Sequence, residues 1–334
     1  MTETSPKALP RKKALITGIT GQDGAYLGKF LLTNGYTVYG TVRDSNNPRQ
    51  TNLKFLGIHG SVEVISANLL DLSNVIRMLE RVKPEEIYNL ASQSSVGMSF
   101  EQPIGTIEFN ILSTTNLLEA MRILSLSARF YEASSSEMFG KVSQLPVTEE
   151  TTLRPVSPYG ISKAAAHWIT VNYREAYELF SCCGILFNHE SVLRAGHFVT
   201  KKILSTAVRI SKDSKEKLQL GNIDIKRDWG YAPEYVKAMW LMLQQDNPDD
   251  FVIATGEPHS VAEFTAKVFN CVGLDWKEHV VTDERFYRPS DINIICGDPS
   301  KARINLRWDY SLSFDDLIGL LVEEERSWDQ DILH

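Results

Sequence analysis

The chain has 334 residues, of which 43% are hydrophobic and 23% charged, and a formal net charge of −7. This is the balance of an ordinary packed globular protein, long enough for one large α/β domain with an appended lobe. Lys and Arg are scattered along it, which excludes the concentrated basic surface that nucleic-acid binding needs, and no apolar stretch is long enough to span a bilayer.

The opening MTETSPKALPR lacks the apolar centre of a signal peptide, so residues 1–11 read as a frayed tail and the expected location is the cytoplasm. Short β-rich runs follow at Lys12–Thr17, Thr37–Val42, Val62–Ser66, Glu86–Leu90 and Arg129–Ser134. Helical patterns lie between them at Ala25–Thr33, Leu72–Arg81 and Ile111–Leu124, with another at Pro158–Leu179. Strands alternating with helices predict βαβ units in a doubly wound parallel sheet of Rossmann type. SCCGILF and FVIAT (Phe251–Thr255) read as further strands.

After Asn188 the rhythm breaks into a polar loop, a helix near Phe198–Lys212, a short strand LQLGN, and RDWGYAPEYVKAMWLML. The expected division is a dinucleotide-binding domain over 12–187 that recovers about 224–256. A smaller mixed α/β substrate lobe would take about 188–223 and 257–330, with the ligand cleft at the carboxyl ends of the strands. The four cysteines (Cys182, Cys183, Cys271, Cys296) form no CxxC pair and read as buried reduced thiols, and no metal site is expected. Trp168, Trp229 and Trp240 read as core or inter-lobe packing, His167 as a packing or interface residue, and Glu323-Glu324-Glu325 as a solvated helix end.

Two constellations carry chemistry. Thr17-Gly18-Ile19-Thr20-Gly21-Gln22-Asp23-Gly24 follows a strand and opens a helix. Gly18 would allow the tight turn, Gly21 the approach of backbone N–H groups to a pyrophosphate, and Gly24 close helix–strand packing. The second strand ends in Arg43-Asp44-Ser45, where Arg43, helped by Ser45 and Arg49, favours the 2′-phosphate of NADP. Asp44 opposes it, which keeps NAD as the alternative. The second constellation is Tyr159-Gly160-Ile161-Ser162-Lys163, preceded by Ser134-Ser135-Ser136-Glu137 at a strand end. Tyr and Lys four residues apart share a helix face. A lysine ammonium beside the hydroxyl favours the phenolate, a competent base toward a sugar hydroxyl, and a strand-end serine can orient that hydroxyl.

Together these residues resemble the extended short-chain dehydrogenase/reductases. Within them GITGQDGAYL, YNLASQSSVG, EASSSEMFG, SPYGISKAAAHWITVNYREAY, GILFNHES, FVTKKI, LGNIDIKRDWGYAPEYVKAMWLMLQ and ATGEPHSV resemble the GDP-mannose 4,6-dehydratases, from about Lys12 to the C-terminus. The resemblance implies catalytic roles for Ser135, Glu137, Tyr159 and Lys163, with Thr the usual residue at the Ser135 position, and a cofactor contact for Lys163 as well. It implies a cofactor site of Gly18, Thr20, Gly21, Gln22, Asp23, Gly24, Arg43, Asn68, Leu69, Leu90, Ala91, Ser92, Gln93, Tyr159, Lys163, His189 and Arg194. Ser94, Asn188, Glu190, Val199, Lys202, Asn222, Arg227 and Arg288 would hold a GDP-sugar, and a homodimer or homotetramer is expected. The chain departs from the family pattern at Asp44, at Asn68, at Val192–Ala195 and at Ser290–Asn293.

The implied reaction is an internal redox cycle: oxidation at C4, loss of water across C5 and C6, and return of hydride to C6. Glu137 discriminates among readings, because oxidation at C4 alone needs only Ser, Tyr and Lys whereas elimination needs a further acid/base. Open alternatives are a dehydratase of another GDP-hexose or heptose, a 4-epimerase or reductase, and a non-catalytic NADP sensor.

Overall fold

The computed structural model describes residues 11–43, 50–287 and 289–332. In chain order its elements begin with β1 (Lys13–Thr17), α1 (Gln22–Thr33), β2 (Thr37–Val42), α2 (Thr51–Phe55), β3 (Glu63–Ser66), α3 (Leu72–Val82) and β4 (Glu86–Asn89). There follow α4 (Val96–Glu101), α5 (Pro103–Ile123), β5 (Arg129–Ser135), α6 (Pro158–Tyr177), β6 (Ser181–Leu186), β7 (Asn188–Glu190), α7 (Val199–Ser211) and β8 (Leu218–Leu220). The chain continues through β9 (Lys226–Tyr231), α8 (Ala232–Met242), β10 (Phe251–Ile253), β11 (Pro258–Ser260), α9 (Val261–Cys271), α10 (Trp276–His279), β12 (Val280–Thr282) and α11 (Phe314–Ile332).

Seven strands form one parallel sheet in the order β3-β2-β1-β4-β5-β6-β10. Successive side chains of a strand point to opposite faces, and here both faces are covered, so the strands read as apolar runs rather than as alternations. Ile16, Val38, Tyr88 and Tyr131 pack under α1 and α8 against Leu27, Leu31, Val236 and Met239. Leu15, Ile65, Ile87 and Phe130 pack on the other face against Val75 and Leu79 of α3 and Leu117 and Met121 of α5. The strand order reverses between β1 and β4, the switch point at which ligands of open α/β sheets bind.

The remaining elements make two small sheets, β11-β9-β7 and β12-β8. Their apolar centre gathers Ile203, Leu204 and Ala207 of α7, Trp229 of β9, Phe264 and Val268 of α9, and Leu317 and Leu321 of α11. No helix among the described residues is long and apolar enough to cross a membrane.

Several expectations need correction. Asn188–Glu190, read as loop, is strand β7, short but fully paired with Trp229–Tyr231. Helix α5 starts at Pro103 rather than Ile111, because its first buried positions are the polar Thr106 and Asn110 and carry no apolar periodicity. Helices α2 and α4 were not anticipated. Trp168 is 58% exposed, since α6 buries the face of Tyr159, Lys163, Ala166, His167 and Thr170 and turns Trp168 away from it. Trp229 is buried and Trp240 is packed against the core. Cys271 is exposed while Cys182, Cys183 and Cys296 are buried, and all four are free thiols.

The acidic run is the largest departure. Glu325 is 4% exposed and pairs with the buried Lys201 of α7, which also donates to the Val192 carbonyl at 2.7 Å. Glu324 accepts from the Tyr231 hydroxyl and from the Val192 N–H. Helix α11 therefore clamps the chain at Val192, and the Trp328 ring lies tilted against Phe55 of α2 with ring centres 4.7 Å apart. Truncation of one partner of a buried ion pair leaves the other charge uncompensated, at a cost of about 3–5 kcal/mol. Glu325→Ala should accordingly lower denaturant stability by about that amount; a loss typical of surface pairs, below about 1 kcal/mol, would show that Lys201 finds water instead.

Candidate active site

The glycine turn after β1 and the Ser135–Glu137–Tyr159–Lys163 set lie at the carboxyl end of the large sheet. At the end of β1, Gly18 has φ +72°, and a Cβ there would lie 3.0 Å from the Ala91 nitrogen. A Cβ on Gly24 would lie 2.3 Å from the Gly18 carbonyl oxygen, so only glycine lets the first turn of α1 pack against the β1–α1 turn. Gly21 is the N-cap of α1 and supplies no side-chain cap. The leading N–H groups of α1 therefore point outward with the positive end of the helix dipole, as a phosphate requires. These features fit a dinucleotide pyrophosphate. Thr20 borders the turn, and its carbonyl accepts from Asn52 at 3.0 Å.

The catalytic candidates lie where β5 ends against α6. Ser135 closes the strand, and its Oγ accepts a long hydrogen bond (3.3 Å) from the Glu137 N–H, which begins a single 3-10 turn, Ser136–Met138. A Cβ on Gly160 would lie 2.6 Å from the Glu137 carbonyl oxygen. Glycine beside Tyr159 is thus what allows the Glu137 turn to lie directly on the first turn of α6. Tyr159 and Lys163 are both buried, one helical turn apart. The Lys163 ammonium donates to the Ala133 carbonyl at 2.8 Å and lies 3.4 Å from Glu132 Oε1. Ser134, next to Ser135, faces the other way and pairs with His167 Nδ1 at 3.1 Å, and burial pushes the His167 imidazole down toward its neutral form.

Beneath this set runs a polar row not anticipated from the sequence. Thr17, Asn89 and Glu132 are direct register partners on β1, β4 and β5. Thr17 Oγ1 donates to Asn89 Oδ1 at 2.8 Å and accepts from the N–H groups of Leu90 and Ala91. Asn89 Nδ2 donates to Glu132 Oε2 at 2.6 Å and to Thr114 Oγ1 at 2.9 Å. Asn110 of α5 organises the next layer: its Oδ1 accepts from Ser92 Oγ and the Gln93 N–H, and its Nδ2 donates to Ser162 Oγ beside Lys163. The signal was present in the composition of the strands, since Asn89 and Glu132 are polar residues inside otherwise apolar sheet runs.

Two segments distant in sequence are joined at the turn. His189 Nε2 lies 2.9 Å from Asp23 Oδ2 while Nδ1 faces the Phe187 carbonyl at 2.7 Å. Both partners are acceptors, so the ring is held as an imidazolium, stacked on Tyr235. Burial opposes the charge on both groups, but their attraction and hydrogen bond prevail, raising the His189 pKa and lowering that of Asp23. Gln22 donates to the His189 carbonyl and accepts from Ser191. Arg194 covers the Phe198 ring at 3.7 Å and lies 3.2 Å from Glu190, whose carboxylate also accepts from Thr200.

The other candidates are distributed more loosely. Arg43 is exposed at the end of β2, its guanidinium 5.0 Å from the Phe109 ring centre. Asn68 is exposed and accepts from the Leu70 N–H within its own turn, beside the buried Leu69. Ser94 is exposed and Val199 opens α7. Lys202 donates to the Gln219 carbonyl at 2.7 Å and lies over Phe286, and burial pushes its ammonium pKa down. Asn222 accepts from the Asp224 N–H, and Asn188 begins β7. Arg227 is 5% exposed and binds Asp291 at 2.9 Å and the Ile292 carbonyl at 2.7 Å, so its charge already has a carboxylate partner. Asp44, Ser45, Arg49 and Arg288 lie outside the described residues.

The Asp23–His189 pair has a defined pH signature. The lowered Asp23 contributes stability that is present above about pH 4 and lost as pH falls through its folded value. The raised His189 contributes stability that is present below about pH 6.5 and lost as pH rises through its folded value. The stability lost in Asp23→Asn should therefore be greatest between about pH 4 and 6.5 and shrink on either side. A difference that stays flat from pH 4 to pH 9 would show that the imidazole is neutral.

A family model described as GDP-mannose 4,6 dehydratase matches residues 15–321. The GDP-mannose 4,6 dehydratase 1 of Arabidopsis thaliana is 47% identical over 332 residues, covering 95% of this chain and 90% of its own length. Among solved structures, UDP-glucose 4-epimerase of Thermotoga maritima, determined with UDP-glucose, matches with a TM-score of 0.85 at 22% identity, over 96% of this chain and 100% of that one. The dTDP-glucose 4,6-dehydratase of Streptomyces venezuelae, determined with NAD, gives 0.83 at 21% identity over 94% and 97%. The structural likenesses are those of a shared fold; it is the family match along nearly the whole chain that assigns this protein to the GDP-mannose 4,6-dehydratase family.

Proposed function

We propose that the chain converts GDP-mannose to GDP-4-keto-6-deoxy-mannose with loss of water, with NADP as its resident cofactor. The observation that supports this reading best is the close approach of the Glu137 backbone to α6 at Gly160, since Glu137 is the carboxylate-bearing residue beside the Ser135–Tyr159–Lys163 set. Tyr159, backed by the Lys163 ammonium, takes the C4 hydroxyl proton while Ser135 orients that hydroxyl. The Gly18–Gly24 turn and Lys163 would hold a nicotinamide dinucleotide, which would supply a hydride acceptor for C4 and a hydride donor for C6. The ketone at C4 acidifies C5, and Glu137 removes the C5 proton. The same carboxyl then protonates the C6 hydroxyl as it leaves as water, which restores Glu137. C5 regains a proton of solvent origin, and the proton held by Tyr159 returns to solvent.

NADP rather than NAD is favoured by Arg43, exposed at the end of β2 where the adenosine ribose of a dinucleotide is read. Its guanidinium is braced on Phe109 and not committed to a carboxylate in any ion pair among the described residues. NADP should bind more tightly than NAD, and Arg43→Ala should erase the difference. Equal affinities in the parent protein would overturn the NADP assignment.

For the reaction, a deuterium at C4 of GDP-mannose should reappear at C6 of the product, and turnover in D₂O should place deuterium at C5. Glu137→Gln should cut turnover by about 10²–10⁴-fold while C4 oxidation persists, and Tyr159→Phe should abolish every step. Full activity in Glu137→Gln would move the acid/base elsewhere, and a C4 label lost to solvent or to free cofactor would make the chain an oxidase or reductase.

A further inference from the structure

We propose that Glu132 is a positioning residue for the proton transfer at Tyr159: its buried carboxylate fixes the Lys163 ammonium and sets the pH at which the Tyr159–Lys163 pair releases its first proton. The inference rests on the reading of Tyr159 as the base.

Glu132 and Lys163 have side chains 0% and 5% exposed and lie 3.4 Å apart. A carboxylate withdrawn from water this far needs a cation and donors around it, and its two oxygens divide them. Oε1 faces Lys163 while Oε2 accepts from Asn89 Nδ2 at 2.6 Å and from Thr114 Oγ1 at 3.2 Å. Asn89 is itself locked by Thr17, so Glu132 cannot swing away without breaking a row that spans three strands. Lys163, held from two sides by Glu132 and the Ala133 carbonyl, has its position imposed by β5 as well as by its own helix.

The charges facing the pair are few. From α6 come Tyr159 and His167, and burial pushes His167 toward neutrality. From β5 and β6 come Tyr131 and Cys183, both driven well up by burial and both within the field of Glu132. Glu137 lies beyond the strand end, and the Asp23 carboxylate, paired with His189, reaches Tyr131. From β4 and α5 come the neutral Asn89, Thr114 and Asn110. Glu132 is thus the negative charge seated directly on Lys163. Tyr159 stands one helical turn from Lys163, so removing the fixed negative charge beside the ammonium favours loss of a proton from this end of the site.

The test is the pH dependence of kcat/KM for GDP-mannose, measured on the cofactor-loaded enzyme. Glu132→Gln should move the ascending limb toward acid by on the order of one pH unit, a tenfold change in proton affinity, with a lower plateau. Glu132→Asp draws the charge back by one methylene and should give a smaller shift in the same direction. It decides the question if the amide variant, which turns an NH₂ toward Asn89 or Lys163, fails to fold. Ascending limbs that coincide with the parent, or that move toward base, overturn the proposal even if rates fall. Tyr159→Phe, run alongside, separates the two failures. Retained turnover there sinks the assignment of the base, whereas an inactive Tyr159→Phe with unshifted Glu132 variants sinks this inference alone.

Discussion

The constraint on which the site depends is the register of three neighbouring strands. Thr17, Asn89 and Glu132 stand opposite one another on β1, β4 and β5, and each hydrogen-bonds the next. Slipping β4 or β5 by one residue would send its polar member to the other face and part the Glu132 carboxylate from Asn89. Apolar packing alone tolerates near-equivalent registers, but a buried charge with directional partners does not. The row therefore aligns the strand ends, and the strand ends carry the glycine turn, the Leu90–Gln93 segment and Ser135. The precision of the site follows from a row of polar groups lying underneath it.

A second tie acts across the molecule. The imidazolium of His189 joins β7 to the first turn of α1, and Gln22 adds hydrogen bonds to the His189 carbonyl and to Ser191. Residues that the family resemblance placed at the cofactor thus hold one another, fixing the turn against the segment that leads into the small sheets. Arg227 behaves in a similar way: it is buried against Asp291 and the Ile292 carbonyl and so fastens β9 to the loop at 291–292.

What the sequence disclosed and what it hid divide along a physical line. The parallel sheet, the glycine turn and the Tyr159–Lys163 helix were legible because each is a local pattern: a period, a turn requirement, a spacing of one helical turn. The Thr17–Asn89–Glu132 row was not, because its members are dozens of residues apart and meet only through strand order. Strand β7 escaped because three residues carry no periodicity, and the start of α5 because its buried face there is Thr106 and Asn110. Trp168 and Glu325 were misjudged in opposite directions for one reason: exposure belongs to the face a helix turns toward its neighbours, and residue type reports it weakly. Arg43 was nameable from its place at a strand end and Asn188 and Lys202 from resemblance, but their surroundings come from elements far along the chain.

The clamp made by α11 bears on the order in which the molecule can be completed. Synthesis delivers the chain from its N-terminus, at about 5–20 residues per second, and the strands from β1 to β6 can pair as they emerge. The segment around Val192 is held by Glu324 and by Lys201, which is itself paired with Glu325, and α2 is covered by Trp328. Glu324 is made 132 residues after Val192. Until the residues of α11 arrive, Lys201 lacks its counter-charge and the edge of the glycine turn lacks its backing. The nascent protein is thus a nearly finished sheet with an unfinished rim, and α11 closes contacts with segments made far earlier.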